Sequence, residues 1–415
     1  MLKVLRMAGR NLSRYRRRTL LTLTLIVIGM AAVLLFMAIA GSFKAMMIGQ
    51  FTDSVLGHVE VHRKGYVASI DNLPLNLNLK ANALAKVEAA LKQNAGVDAW
   101  SPRVKFGGMY SNFVETTSIR VNGIDPAREA ATAPLLPGRL VEGKKGGELV
   151  ARGEILVPTL LARGMKTKVG DTVVLVATNR DGSVNGKTFV VRGVLESISG
   201  PGGRDGYIHI DDARELLRMS EPEVSEIAIR LRDFSRLNRV SGELKRALAG
   251  VSDKAGKPVL EVHTWAELSP FASLARMIDV MTLFIKIVLV SIVLVSVMNV
   301  MIMAVYERIR EIGTIAAIGT PPSRILSLFL GEGLLLGLIG TAAGTLISLA
   351  AIYALNVWKI TFAFGQQQNL LLAPHLAATD VATIAALVVG VAVLASLQPA
   401  WKASRLDPIL ALRHV

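Results

Sequence analysis

The chain has 415 residues, is 52% hydrophobic and carries a net charge of +15, from 47 Lys and Arg against 32 Asp and Glu. It has no cysteine, which excludes disulfides and thiolate metal sites. The densest basic run abuts an apolar segment rather than lying along a soluble face, so nucleic acid is not an expected partner.

Residues 1–18 contain Lys3, Arg6, Arg10, Arg14, Arg16, Arg17 and Arg18 and no acid. With Leu2, Leu5 and Leu12 as its apolar side, this segment predicts a basic amphipathic helix at the inner membrane surface, in contact with anionic lipid. Four almost uncharged stretches follow along the chain: Leu20–Ala40, Ile287–Val305, Gly333–Leu355 and Val381–Leu397. A spanning helix needs about 20 apolar residues. They place transmembrane helices at residues 19–41, 277–305, 324–355 and 380–398. Lys and Arg stay on the cytoplasmic side. The basic flanks therefore put both termini in the cytoplasm, and residues 42–276 outside. Ala38-Ile39-Ala40 resembles a cleavage site, but the 21 residues of Leu20–Ala40 exceed the h-region of about 7–15 expected of a leader, which favours an anchor.

Residues 42–276 are polar and Gly-rich, and read as a mixed α/β domain inserted between the first two spans. Strands are predicted over Gly57–His62, Thr117–Ile124, Asp171–Ala177, Thr188–Leu195, Val224–Leu231 and Val259–His263. Helices are predicted over Ala83–Gln93, Glu154–Arg163, Asp211–Met219 and Arg236–Leu248. Asn179–Gly182 is a hairpin turn, and Gly200–Gly206 a connecting loop. His58 and His62 read as solvated residues of a strand, and no histidine lies in a zinc-protease pattern, so no metal ligand and no catalytic residue is assigned.

Residues 306–323 join spans two and three. Glu307, Arg308, Arg310 and Glu311 form a mixed-sign patch, followed by Ile312, Thr314 and Ile315. The helix of span two should continue through Glu311, bend at Gly313 and stop at Gly319-Thr320-Pro321-Pro322, with Ser323 capping span three. An ordinary turn needs only a few residues, whereas this amphipathic segment suits docking into a partner's polar groove. Gly333, Gly337, Gly340 and Gly344 recur at spacings that put them on one face of span three, where small residues let helices approach closely. Lys286 and Glu332 lie near opposite membrane faces and are read as snorkelling to them. Residues 356–379 form a short outer loop, and residues 399–415 a cytoplasmic tail. The phosphate-loop signature Gly-x-x-x-x-Gly-Lys-Ser/Thr is absent, so no ATP is bound directly.

The run Val305–Thr314 followed by Ala317-Ile318-Gly319 resembles the coupling region of FtsX-like ABC permeases, the superfamily of MacB, LolC/LolE and FtsX. The resemblance extends to Leu328–Glu332 and the glycine stripe, the tail Pro399–Arg413 and the opening at Asn11-Leu12 and Arg17–Thr22. Glu154–Val157 and Val169–Val173 resemble the family's periplasmic core domain. The resemblance implies a non-enzymatic permease subunit in the bacterial inner membrane. It would pair with a second permease, identical or paralogous, and with two copies of a separate ABC ATPase that holds ATP and Mg. That subunit would pass ATP-driven motion up span two to the periplasmic domain, for lipoprotein release or export of an envelope substrate. An adaptor, a lipoprotein or a chaperone would be further partners. Only residues 1–18 precede span one, unlike the fused ATPase of the MacB type. The alternative is a mechanotransmitting regulator of a periplasmic enzyme such as a cell-wall hydrolase.

Overall fold

A computed structural model describes residues 2–144, 146–198, 204–252, 259–364, 367–407 and 411. The chain divides into two compact units. One comprises Met1–Lys44, Arg276–Thr361 and Leu371–Val415, the other Ala45–Ala275 and Phe362–Leu370.

In chain order, helix α1 (Leu2–Arg14) is followed by α2 (Arg16–Phe51), strand β1 (Val59–Arg63) and α3 (Ala81–Gln93). Strands β2 (Val97–Ser111) and β3 (Thr116–Ile124) precede α4 (Pro126–Thr132), β4 (Leu140–Gly143), β5 (Glu154–Pro158) and α5 (Thr159–Gly164). Then come β6 (Thr172–Thr178), β7 (Val184–Leu195), β8 (Gly206–His209), α6 (Ile210–Leu216), β9 (Glu226–Leu231), α7 (Leu237–Leu248), β10 (Leu260–Thr264) and α8 (Trp265–Leu268). The chain closes with α9 (Ala272–Glu307), α10 (Ile309–Ala317), α11 (Pro322–Trp358), β11 (Thr361–Phe364), β12 (Gln367–Leu371) and α12 (Ala378–Ser404).

The unit built around residues 45–275 is a mixed sheet with strand order β10-β1-β9-β2-β3-β8-β5-β7-β4, and β6 pairs with β2 and β7. Strand alternation gives the sheet two different faces. On one face Val59, Val61, Val104, Phe106, Ile227, Ile229 and Leu231 join the main apolar core with α3 and α7 residues such as Val87, Leu91, Val240 and Leu244. On the other, Glu60, His62, Arg103, Lys105 and Glu226 are also buried. Local chemistry positions the cover of that face. Asp125 caps α4 by accepting from the backbone N–H of Ala127 and Arg128, and Pro126 occupies its first turn. Gly57 precedes β1 at φ +77°, where a Cβ would lie 3.1 Å from the Ile229 backbone, so both the conformation and the close approach require glycine.

Among the described residues four helices are long and apolar enough to cross a membrane. At about 1.5 Å per residue α2 and α9 each extend roughly 54 Å, beyond a hydrocarbon core of about 30 Å. Their shared core includes Ile26, Met30, Val293, Val297, Phe329, Leu336, Val388 and Ala392. Leu21, Ile28, Leu346 and Leu394 point outward.

Several expectations are corrected. Residues 154–163 form a strand and then a short helix, because Ile155, Leu156 and Val157 enter the sheet between β7 and β8. Strands β2, β4 and β8 were not anticipated, and the outer loop at 356–379 contains the β11–β12 hairpin. The last helix runs on to Ser404. Of the predicted loop Gly200–Gly206, residues 200–203 lie outside the described residues.

The glycine stripe meets two different helices. A Cβ on Gly337 would lie 3.0 Å from the Ala392 Cβ of α12. One on Gly340 would lie 2.6 Å from Ile26 of α2, and one on Gly344 2.7 Å from Met30 of α2. Gly344→Val is therefore expected to destabilise the helical unit by about 1–3 kcal/mol, the usual cost of overpacking. A lower midpoint of thermal aggregation in detergent measures it, and an unchanged midpoint contradicts the packing.

Candidate coupling site

The segment between spans two and three is not one helix with a bend at Gly313. Helix α9 stops at Glu307, Arg308 takes a non-helical conformation (φ −113°, ψ 14°) and α10 begins at Ile309. Gly313 is buried inside α10. Gly319 at φ +93° follows α10, and Pro321, not Ser323, occupies the cap position of α11 with Pro322 in its first turn.

The seven candidate docking residues divide between two faces. Glu307, Arg310, Glu311, Thr314 and Ile315 are exposed, with Ile318 80% exposed beside them. Arg308 and Ile312 face inward, which corrects the expectation that Arg308 belongs to an external patch. Arg308 is 4% exposed and Glu332 1%. The Arg308 Nη1 donates to Glu332 Oε1 at 2.9 Å, and Asn11 Nδ2 of α1 donates to the same oxygen at 2.8 Å. The Arg308 guanidinium also lies 5.1 Å from the centroid of the Tyr15 ring. Glu332 therefore does not snorkel to the interface; it is buried and paired within the unit. An ionisable side chain in an apolar helix needs a partner, and the partner here is 24 residues away. That rule pointed to Glu332 from sequence, but Asn11 and Tyr15 carry no such signal.

Around this joint lies a groove of about 370 Å³ lined by Met7, Asn11, Glu311, Ile315, Arg324 and Leu328, among others. Its rim carries an exposed pair, Arg14 Nη1 to Glu311 Oε1 at 3.4 Å, worth little in water.

The buried polar face of the sheet holds a second cluster. Cross-strand register puts His62 opposite Glu226, and Glu226 opposite Arg103. Arg103 makes a two-pronged contact with Glu129 of α4, at 3.0 and 2.7 Å, and reaches Glu226 at 3.1 Å. Lys105 Nζ lies 2.7 Å from Glu226 Oε1. His62 Nε2 is 3.2 Å from Glu60 and 3.5 Å from Glu226. Burial alone would depress the His62 pKa, but the Glu226 and Glu60 carboxylates outweigh it and raise it to about 9. Burial would raise Glu226, yet Lys105, His62 and Arg103 hold it well below the usual carboxylate range. The reading of His62 as solvated is overturned: it is wholly buried, and His58 is 5% exposed. His58 Nδ1 accepts from the Leu231 N–H at 3.0 Å, so its other nitrogen faces Asp53 at 3.3 Å. Glu60, His62 and Glu226 could converge on a cation, with ligand atoms within 4.8 Å of one another. Arg103 and Lys105 already offset two of the cluster's three carboxylates, Glu60, Glu129 and Glu226, and a proton on His62 matches the third, so a divalent ion would leave buried positive charge uncompensated.

Among the described residues, four apolar helices, a large α/β unit inserted after the first, and a short amphipathic helix between the second and third have the architecture of a multi-pass membrane protein with a large inserted domain. Residues 19–247 match the MacB-like periplasmic core domain and residues 283–408 the FtsX-like permease C-terminal domain. The chain belongs to the FtsX/MacB-type permeases of ABC transporters. It is 23% identical over 418 residues to the lipoprotein-releasing system transmembrane protein LolC of Neisseria meningitidis serogroup B, covering 95% of this chain and 94% of that one. It is 27% identical over 405 residues to the pyoverdine export ATP-binding/permease protein PvdT of Pseudomonas syringae pv. tomato, covering 96% of this chain and 57% of that one. The crystal structure of the periplasmic region of MacB from Actinobacillus actinomycetemcomitans aligns with a TM-score of 0.37 at 12% identity, over 53% of this chain and 92% of that one.

Proposed function

We infer that this permease transmits the ATP-driven motion of a separate ABC ATPase to its periplasmic domain, and that its cargo is a lipoprotein or another envelope substrate. The observation that carries the reading is the exposed surface running from the end of α9 along α10, where Glu307, Arg310 and Glu311 alternate in sign beside Thr314, Ile315 and the following Ile318. A short helix with mixed charge and apolar anchors is suited to a complementary groove. ATP and Mg are assigned to the ATPase, since these residues contain no phosphate loop. The assembly proposed is two permeases, identical or paralogous, with two ATPases, and with the α10 face and both termini on the cytoplasmic side. The end-to-end match to a lipoprotein-releasing permease favours lipoprotein cargo.

Copurification of the full permease with the ABC ATPase expressed beside it tests the reading. Arg310→Glu is expected to weaken ATPase retention about tenfold or more, or ~1.4 kcal/mol, as for a charge lost from a docked interface. Undiminished retention in Arg310→Glu and in Glu307→Lys would sink the assignment of this face. Release of a radiolabelled lipoprotein from proteoliposomes containing the complex tests the cargo.

A further inference from the structure

If α10 receives force, the route out of it is set by what α10 is fastened to. The backbone does not form one continuous helix from α9 to α10, because Arg308 interrupts it. The side chain of that same residue makes the fastening: Arg308 binds Glu332 of α11, and Glu332 in turn holds Asn11 of α1. This joint is nearly sealed from solvent, so parting Arg308 from Glu332 leaves the buried carboxylate with the neutral Asn11 amide and leaves Arg308 with a longer contact to Glu311 at 3.8 Å. The glycine stripe of α11 begins at the next residue, Gly333, where a Cβ would lie against Ser396 of α12. Its glycines seat the helix against α12 through Gly337 and against α2 through Gly340 and Gly344 with no room for a methyl group. A displacement of α11 must therefore carry α2 and α12 with it, since close-packed interiors shift rather than compress.

The geometry points to Arg308 and Glu332 as the positioning pair that passes displacement of α10 to α11, and through its glycine face to α2 and α12. Asn11 and Tyr15 tie the N-terminal helix to the same joint. This rests on the docking role of α10, and replaces a route up α9 alone with one through α11.

The test uses the full permease in complex with its ABC ATPase. The chain has no cysteine, so Trp358→Cys, at the exposed end of α11, supplies a single thiol. Its maleimide labelling rate is measured without nucleotide and with ATP plus vanadate. The rate is expected to change with nucleotide. In Glu332→Gln and in Arg308→Glu that change is lost while the ATPase stays bound and hydrolyses ATP. The exchanged pair Arg308→Glu/Glu332→Arg regains it, which separates a broken joint from a misfolded one. Persistence of the response in both single variants, no recovery in the exchanged pair, or a thiol blind to nucleotide in an active complex overturns the inference. Loss of the ATPase from the single variants overturns it too, by placing the pair in the docking surface. A permease that retains no ATPase even without these substitutions refutes the docking role instead.

Discussion

Glu226→Gln is expected to cost the periplasmic domain about 3–5 kcal/mol, the usual consequence of removing one partner from a buried charge cluster. Glu226 is completely buried and lies within 3.5 Å of Arg103, Lys105 and His62. Gln keeps the volume and one carbonyl acceptor, so packing is preserved and the loss isolates the charge. Arg103 retains its two contacts with Glu129, but Lys105, only 9% exposed, loses its 2.7 Å partner and among the described residues forms no other ion pair, with Glu60 acting on it only from further away. An ammonium left in that state is the dominant cost. Since whole domains are stable by only about 5–15 kcal/mol, the variant should melt far earlier or fail to accumulate. Urea unfolding of the full chain in detergent, followed by the fluorescence of Trp100 and Trp265, measures it. Arg239→Ala, which breaks the exposed pair with Glu243, should by contrast cost at most about 1 kcal/mol. A Glu226→Gln loss no larger than that of Arg239→Ala would mean that the cluster does not hold the sheet.

How much of this was legible in the sequence differs between the two units for a physical reason. A lipid-facing helix must satisfy its backbone internally, so the four spans announce themselves by composition alone. The glycine periodicity of α11 was equally local, although not the division of its face between α2 and α12. The sheet is different. Val59-Glu60-Val61-His62 alternates as a strand with one wet face would, and nothing local tells that α4 and neighbouring strands cover the polar side. Strand β2 escaped because Pro102 and the pair Gly107-Gly108 lie inside it, residues that normally demote a strand. The coupling site was half legible. The mixed-sign patch Glu307–Glu311 marked the segment, but the inward turn of Arg308 depends on Glu332 and Asn11, and the latter is 321 residues from its partner.

Raising the pH from 7 to 10 is expected to remove roughly 2–3 kcal/mol of stability from the periplasmic domain through His62. Its pKa is raised from 6.5 to about 9 on folding, and each unit corresponds to about 1.4 kcal/mol. The sign follows from that direction. The folded state binds the proton more tightly than the unfolded chain, so the stabilisation is fully present below pH 6.5 and is lost as the pH climbs through 9. Glu226, lowered on folding, acts at the other end, where its contribution fades only as acid protonates it. Lys105 is raised above its ordinary value of 10.5, so it keeps its charge across the alkaline window. Charge balance explains the device. Glu60, Glu129 and Glu226 outnumber Arg103 and Lys105 by one, and the His62 proton supplies the missing charge. His62→Gln should therefore flatten the stability profile between pH 7 and 10. In Glu226→Gln, where one of the two carboxylates facing the histidine is gone, a partial flattening should appear without touching the histidine, because Glu60 at 3.2 Å still favours its proton and groups in one cluster do not contribute additively. Urea midpoints at four pH values in the native chain and the two variants read this directly, and parallel profiles in all three would show that His62 does not carry the balancing proton.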